Sequence, residues 1–548
     1  MAIKVEQLLE SIPKTRDQLL PALWRVYDHF HYLNPDIIGE LSRQMAIPYA
    51  EVYGVASFYA LFSWEQPARV PVQICHDVIC QLYGAEALSQ KVAAGVDPQT
   101  VRVTSTLCLG QCDHAPAALV GDHVMRKATV QNSVSTGRRA SMISVRRLLP
   151  DNPKTPPVSI ERLRERGFDN AYDRILKADV DQVIAELEAS GITGRGGAAF
   201  PTGRKWRSVK EAPGSMKYAI MNADESELGT FKDRMLIEQD PLGPLVGLVL
   251  AAKTLGATHA YCYIRGEYRA EEKQLADAIE LLKKYGWIGP GSGVDIEIRR
   301  GAGAYVAGEE TALFNSIEGK RPEPRVKPPF PTVHGVFGAP TLIQNVETLA
   351  NVALLFAHDV NWFREVGTKQ NPGTKLVALS GHIKNPGVYE VPFGTALSDI
   401  LLSSELGGGI GGSGKLGAVL IGGAAGTFLT PDEITETTLD YPSLARHGAS
   451  IGSGAIMVFD DTVDLLGVVE RLAHFFAEES CGQCVPCRIG THRIKEFIRH
   501  PQLLEEVENI RSLGMAMRDA SICGLGQTAP MALLSLLDRP QLIHAQTL

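Results

Sequence analysis

Eight of the nine cysteines in this 548-residue chain fall into two groups of four. Near the C-terminus, E-S-C-G-Q-C-V-P-C-R-I-G provides Cys481, Cys484 and Cys487 in C-x2-C-x2-C spacing, and Cys523 follows in S-I-C-G-L-G. Three thiolates on one compact turn plus a distant fourth suit a [4Fe-4S] cube, which needs four soft ligands at its corners. A four-cysteine zinc site is the bland alternative, but zinc prefers paired C-x2-C units, so this spacing favours iron and sulfur. The second quartet is Cys75 and Cys80 in C-x4-C, then Cys108 and Cys112 in C-x3-C, each pair following a predicted strand. Two loop-borne pairs would hold a [2Fe-2S] rhomb, one pair on each iron, and on spacing alone zinc fits equally. A thioredoxin-type disulfide would want C-x-x-C at a helix start. Cys262, alone in a predicted strand, reads as a buried small hydrophobe.

A second constellation is built from glycines and acids. S-G-I-T-G-R-G-G-A-A-F-P-T-G-R-K-W, residues 190 to 206, opens after a predicted helix and carries Arg195 and Lys205 as cations. The backbone amides of Gly194, Gly196 and Gly197 could approach a phosphate or a flat ring, since no side chain intervenes. The loop is neither the G-x-G-x-x-G dinucleotide fingerprint nor a Walker loop. Two islands, M-N-A-D-E-S-E-L-G-T-F-K-D-R at 221 to 234 and G-A-G-A-Y-V-A-G-E-E-T-A-L at 301 to 313, put acids beside tight turns after predicted strands. That is where α/β sheets place ligands. Spacing does not allow all of Asn222, Asp224, Glu225, Glu227, Glu309 and Glu310 to be cofactor ligands, and composition credits at most half; solvated loop acids are the bland reading.

The surrounding pattern supplies several elements to position these groups. Residues 1–68 show helical spacing, with Pro35-Asp36 and Pro48 marking starts. Residues 69–132 alternate β-like runs with one helix, giving a small α/β module. The basic, then proline-rich stretch at 133–180 reads as a linker. Residues 181–367 alternate helices and strands as an α/β sheet domain. Short β runs around Asn385-Pro386-Gly387 suggest a β-grasp-like domain over 368–455, and 456–548 reads as a helical bundle carrying the C-terminal quartet. The expected fold class is therefore multidomain α/β. Because the glycine-and-acid motifs all lie beyond the linker, the N-terminal 150 residues are expected to be separable from them.

Composition narrows the class. A net charge of −8 gives no electrostatic reason for a nucleic-acid partner. The most apolar stretch, P-L-G-P-L-V-G-L-V-L-A-A-K-T-L-G-A, is broken by Pro244 and Lys253 and is too short to span a bilayer. The start, M-A-I-K-V-E-Q-L-L-E-S-I, is amphipathic rather than a secretory signal, and tight cysteine quartets suit a reducing compartment, so a cytoplasmic location is expected.

At these motifs the sequence resembles the NADH-oxidising flavoprotein subunit of respiratory complex I over roughly residues 181–535. G-R-G-G-A-A-F-P-T-G, N-A-D-E, G-T-F-K-D-R, G-A-G-A-Y-V-A-G-E-E-T-A-L, Q-N-V-E-T-L and E-S-C-G-Q-C-V-P-C-R appear in the family's order. Residues 1–130 resemble that family's thioredoxin-like [2Fe-2S] subunit. The fused layout is similar to the β subunits of some NAD-dependent formate dehydrogenases and to the diaphorase subunits of NAD-reducing hydrogenases.

The resemblance implies a Rossmann-like FMN domain, a ubiquitin-like domain, and FMN, NAD(H), [4Fe-4S] and [2Fe-2S] as cofactors. It puts FMN against Gly194, Arg195, Gly196, Gly197, Lys205, Asn222, Asp224, Glu225, Gly308, Glu309, Asn345 and Thr348. It puts the nicotinamide nucleotide against Phe200, Lys205, Glu227, Tyr305, Glu310, Lys327 and Phe330, with Glu310 and Glu227 as the positioning acids nearest the chemistry. Ala199, Leu228, Gln344 and Ser208 depart from the family's usual residues. The implied activity is that of a diaphorase subunit, with formate dehydrogenase the favoured parent, hydrogenase the alternative, and a zinc-stabilised scaffold the rival of another class. Since all quartet cysteines are committed, the formate (molybdenum or tungsten) or hydrogen site must lie on a partner subunit with further iron-sulfur protein.

Overall fold

The computed structural model describes residues 5–66, 70–96, 101–121, 123–129, 146–150, 152, 154–499 and 506–544. Its organising sheet has four strands, Asp295–Arg300, His259–Ile264, Tyr218–Ala223 and Thr341–Asn345 in that spatial order, all parallel. Alternation along the strands sends side chains to opposite faces. Ala219, Met221, Ala260, Cys262 and Leu342 join one core with the buried helices Leu242–Leu255 and Val346–Ala357. Tyr218, Ile220, Tyr261, Tyr263 and Ile343 join a second core on the other face.

That second core is closed by the N-terminal helices. Leu19–Phe30, Pro35–Met45 and Tyr49–Ala56 supply Leu19, Leu23, Trp24, Val26, Ile38 and Val52 to it, followed by Phe62. Asn34 caps the second of these helices, with Pro35 at its first position, as the sequence signal predicts. The expectation that residues 1–150 separate cleanly from the flavin domain is thereby corrected: residues 5–66 cover one face of its sheet.

The two-iron module follows as a four-stranded sheet in the order Val101–Thr106, Val70–Cys75, Ala118–Val120, His123–Met125, the first two parallel and the rest antiparallel. The linker reading of 133–180 is also corrected where residues are described. Helices Ile160–Glu165 and Phe168–Lys177 bury Leu163, Phe168, Ala171, Tyr172 and Ile175 in the main core. Proline does break the chain there, but the apolar spacing after it is helical and belongs to the flavin domain. Residues 133–145, 151 and 153 of that segment lie outside the described residues.

The β-grasp-like domain is a five-stranded mixed sheet in the order Gly387–Pro392, Thr374–Gly381, Ala455–Asp460, Leu416–Ile421, Thr427–Leu429, with a parallel central pair. Its middle strand begins at Ala455, the boundary expected from the sequence, so the domain runs on to Asp460. The C-terminal helices Leu465–Glu479, Val485–Arg499, Val507–Ala520, Gly524–Thr528 and Met531–Leu537 follow. Among the described residues no single helix is long and apolar enough to cross a membrane. The apolar helix Leu242–Leu255 is core.

Candidate functional site

The glycine-and-acid islands emerge together because the four strands are parallel. Their carboxyl ends share one edge, and the register sets Asn222 beside Asn345. The Asn222 side-chain amide donates to the Gly308 carbonyl at 2.9 Å, and its Oδ1 accepts the Asp224 amide at 3.1 Å. This stitches the 222–224 turn to the turn Tyr305–Gly308. Removal from water pushes the Asp224 carboxyl up to about 8, and its Oδ2 has no hydrogen-bond partner among the described residues. A Cβ on Gly308 would meet that oxygen at 3.0 Å, and one on Gly196 would meet Asn345 Cβ at 3.1 Å. An unpartnered acceptor beside a wall of bare backbone fits a planar, hydrogen-bonding group such as a flavin.

Several residues carried over from the resemblance do something else with their side chains. Arg195 is only 2% exposed; its guanidinium donates to the Pro372 carbonyl at 3.2 Å and stacks on Phe393, so it ties the loop to the β-grasp-like domain. Its backbone amide donates to Thr348 Oγ1 at 2.8 Å. Glu225 accepts the Asp233 and Arg234 amides at 2.8 and 3.0 Å and the Tyr268 hydroxyl at 3.1 Å, capping the helix Lys232–Gln239. Glu309 caps the helix Glu310–Ile317 through the Thr311 and Ala312 amides. Asn345 accepts the Glu347 amide and donates to Asp233 Oδ2 at 2.6 Å.

The nucleotide candidates form the open side. Glu310 lies between two cations, Lys205 Nζ at 3.1 Å and Lys327 Nζ at 2.7 Å, and Lys327 also reaches Glu309 at 2.8 Å. Burial would raise the Glu310 carboxyl, but the two lysines outweigh it and hold it below its ordinary value. Glu227 binds the Tyr305 hydroxyl and accepts the Ala425 amide at 2.9 Å; removal from water raises its carboxyl. Phe200 and Phe330 are 47% and 57% exposed, and the Arg204 guanidinium lies 5.7 Å from the Phe200 ring centre.

One buried network carries no signal as a unit in the sequence. Lys232 Nζ contacts Asp233 at 2.6 Å and Glu347 at 3.1 Å, and Lys375 reaches Glu347 at 2.5 Å. Burial pushes Lys375 down to about 7. Three of these residues stand inside quoted motifs, G-T-F-K-D-R and Q-N-V-E-T-L, whereas Lys375 belongs to another domain and to no motif. Of the family departures, Ala199 has φ 52, a left-handed conformation that costs about 1 kcal/mol for a residue with a Cβ. Leu228 and Gln344 are buried, and Ser208 donates to the Arg204 carbonyl on the exposed side of the helix Thr202–Glu211.

The N-terminal thiols come together, and in the C-terminal group Cys487 lies within electrostatic reach of Cys481, Cys484 and Cys523. The Cys75, Cys80, Cys108 and Cys112 thiols are all free and buried, with Cys108 and Cys112 sulfurs 3.8 Å apart and Cys75 within hydrogen-bonding reach of Cys108 and Cys80. In the other group Cys487 is buried and Cys481, Cys484 and Cys523 are partly exposed. Burial pushes the Cys487 thiol up to about 12 and Cys523 to about 11. Such sites hold thiolates when a metal supplies the opposite charge. Cys262 is fully buried in the sheet and separate from both.

A flavin-shaped edge on a parallel sheet, two sulfur quartets and an acid-lysine nucleotide face define an NAD(H)-linked iron-sulfur flavoprotein. Residues 187–354 match the Nuo51 FMN-binding domain, 5–136 the thioredoxin-like [2Fe-2S] ferredoxin, and 467–540 the NADH-ubiquinone oxidoreductase-F iron-sulfur binding region. The chain is 32% identical to the NAD-reducing hydrogenase HoxS subunit alpha of Cupriavidus necator, over 98% of this chain and 93% of that one. It is 39% identical to the F subunit of the NADH-quinone oxidoreductase of Aquifex aeolicus, over 72% and 92%. A crystal structure of an NAD+-reducing [NiFe]-hydrogenase in the H2-reduced state superposes with a TM-score of 0.83 at 32% identity, covering 97% of this chain and 93% of that one. The chain belongs to the family of NADH-oxidising flavoprotein (diaphorase) subunits of multi-subunit oxidoreductases, with FMN, [4Fe-4S] and [2Fe-2S] as its cofactors. The zinc-scaffold alternative falls with that finding.

Proposed function

We propose that the chain exchanges reducing equivalents with NAD(H) at the edge formed by Asp224, Glu227, Tyr305 and Glu310, and passes single electrons to or from a partner through its two cysteine quartets. Bound FMN would supply the conversion between two-electron exchange with nicotinamide and one-electron exchange with clusters. The chain's own residues supply position. Glu310, held ionised by Lys205 and Lys327, offers a fixed acceptor to the nucleotide, and the lysines leave positive charge beside its phosphates. Phe200 and Phe330 offer faces for adenine. Asp224 and the 194–197 backbone receive the flavin ring edge. Cys75, Cys80, Cys108 and Cys112 would ligate the two-iron cluster, and Cys481, Cys484, Cys487 and Cys523 the four-iron cluster. The observation that carries the reading is the convergence of the Lys205–Glu310–Lys327 bridge and the unpartnered Asp224 oxygen on one sheet edge. Purified FMN-loaded chain should oxidise NADH with an artificial one-electron acceptor; a folded, FMN-loaded preparation that reduces none would reject it.

Two parent complexes fit, each on its own ground. The full-length likeness to a hydrogenase subunit supports a hydrogen-activating partner; the fused layout supports a formate-oxidising partner with molybdenum or tungsten. In either, the complex works in the cytoplasm without direct membrane insertion or nucleic acid. Isolating the intact complex and measuring NAD+ reduction with hydrogen and with formate separates them, since only one donor should be used.

A further inference from the structure

We propose that the β-grasp-like domain is itself part of the nucleotide site: its 422–426 turn clamps Glu227 and fixes where that carboxylate points. Nothing in residues 368–455 is assigned to the site by the motifs, yet Ala425 donates its amide to Glu227 Oε1 at 2.9 Å while the Tyr305 hydroxyl takes Oε2. Gly423 has φ +80, and a Cβ there would lie 2.5 Å from Glu227 Cγ and 2.8 Å from Oε1. Only glycine lets the turn come this close. The turn is internally fixed, with Gly426 donating to the Gly423 carbonyl at 3.0 Å and Gly422 to the Ala455 carbonyl at 2.9 Å. A second loop of the same domain lies alongside. Ser453 and Thr230 hydroxyls are 2.6 Å apart, and Gly197 packs against Gly452 and Ser453. Two loops of one domain thus close on the flavin loop and on the acid island together.

The acid they hold is unlike Glu310. Glu310 has two lysines, whereas the partners of Glu227 are neutral donors. Facing it are Tyr305, whose own amide donates to Glu479 at the end of the helix Leu465–Glu479, and beyond Tyr305 the Cys523 thiol. The Tyr305 hydroxyl and the Ala424 and Ala425 amides favour the ionised form against a dry surrounding that opposes it. Gly423 is therefore a positioning residue that acts through Glu227. This inference rests on the reading that Glu227 faces the nucleotide.

NAD+ binding to the full-length, FMN-loaded chain, followed by calorimetry between about pH 5 and pH 9, tests it. Affinity should inflect as Glu227 ionises, and Glu227→Gln should abolish the inflection. Gly423→Ala and Tyr305→Phe should each move it upward by about one pH unit, the worth of one donor to a carboxylate. An unmoved inflection in folded, FMN-loaded Gly423→Ala overturns the clamp. If Gly423→Ala does not load FMN, amide exchange decides instead. The Ala425 amide should exchange about tenfold faster in Glu227→Ala, and unchanged protection overturns the proposal. If Glu227→Gln binds NAD+ with wild-type pH dependence, the nucleotide reading of Glu227 fails instead.

Discussion

The N-terminal helices and the two-iron module are neighbours in sequence but are fastened to the flavin domain by different balances of apolar and polar contact. The helices are joined by apolar surface: Leu19, Leu23, Trp24, Val26 and Phe62 share one core with the tyrosines and isoleucines of the parallel sheet. The module also buries Val78 and Ile79 in the flavin domain's main core, but adds to them a set of buried polar contacts. Arg234, fully buried, donates to Asp113 at 2.7 Å and to the Gly110 carbonyl at 3.0 Å, and Arg265 donates to the Cys108 carbonyl. Apolar burial is non-directional and large; a buried ion pair orients its partners and contributes little net stability, yet is costly to break. The helices are thus part of the flavin domain's fold, and the module is a second body that shares some of its apolar core and is oriented by directional polar contacts.

Removing residues 1–66 tests the first half of this contrast and carries the largest expected effect. The five named side chains contribute about 2 kcal/mol each, together about 10 kcal/mol, comparable to the whole net stability of a domain. The truncated chain should be insoluble or free of FMN; a soluble, FMN-loaded product would show the helices to be dispensable. Arg234→Ala addresses the second half. It strands Asp113 in a buried site and should cost about 3 kcal/mol or more in urea unfolding, while NADH oxidation with an artificial acceptor survives and the two-iron paramagnetic signal broadens or disappears. Loss of FMN instead would merge the two bodies.

Cys484→Ser extends the separation to the C-terminal helices. The four-iron signal should vanish with most FMN retained, since no FMN candidate lies on those helices; an unchanged four-iron spectrum in folded protein would remove Cys484 from the quartet. Glu310→Gln should perturb the fold least. Because Lys205 and Lys327 hold this carboxyl below its ordinary value, it stays ionised through neutral pH and loses its charge only as pH falls below the ordinary carboxylate range. The variant should therefore raise KM for NADH by about tenfold across neutral pH without changing FMN retention. Wild-type steady-state kinetics would take Glu310 out of the site.

Much of the architecture is legible in one dimension. Helix starts at Pro35, the quartet spacings and the strand-then-turn position of N-A-D-E are local properties, written into a few adjacent residues. The linker boundary fails because proline marks a turn without saying how far it extends, and Phe168, Ala171 and Ile175 resume a helix within a few residues. Glu225 and Glu309 resemble ligands because an acid after a strand is ambiguous; only the Asp233, Arg234, Thr311 and Ala312 amides show that both are helix caps.

By itself the sequence determined the sulfur chemistry and the α/β class, since the residue types of the quartets and the period of the apolar pattern are fixed by the chain alone. The tertiary structure alone decided which elements share a core and which side chains meet. Trp24 reaches Gly301, Arg234 reaches Asp113, and Ala425 reaches Glu227 across separations of 277, 121 and 198 residues. A hydrogen bond depends on position within a fraction of an ångström, and no local pattern encodes the place to which a distant segment returns.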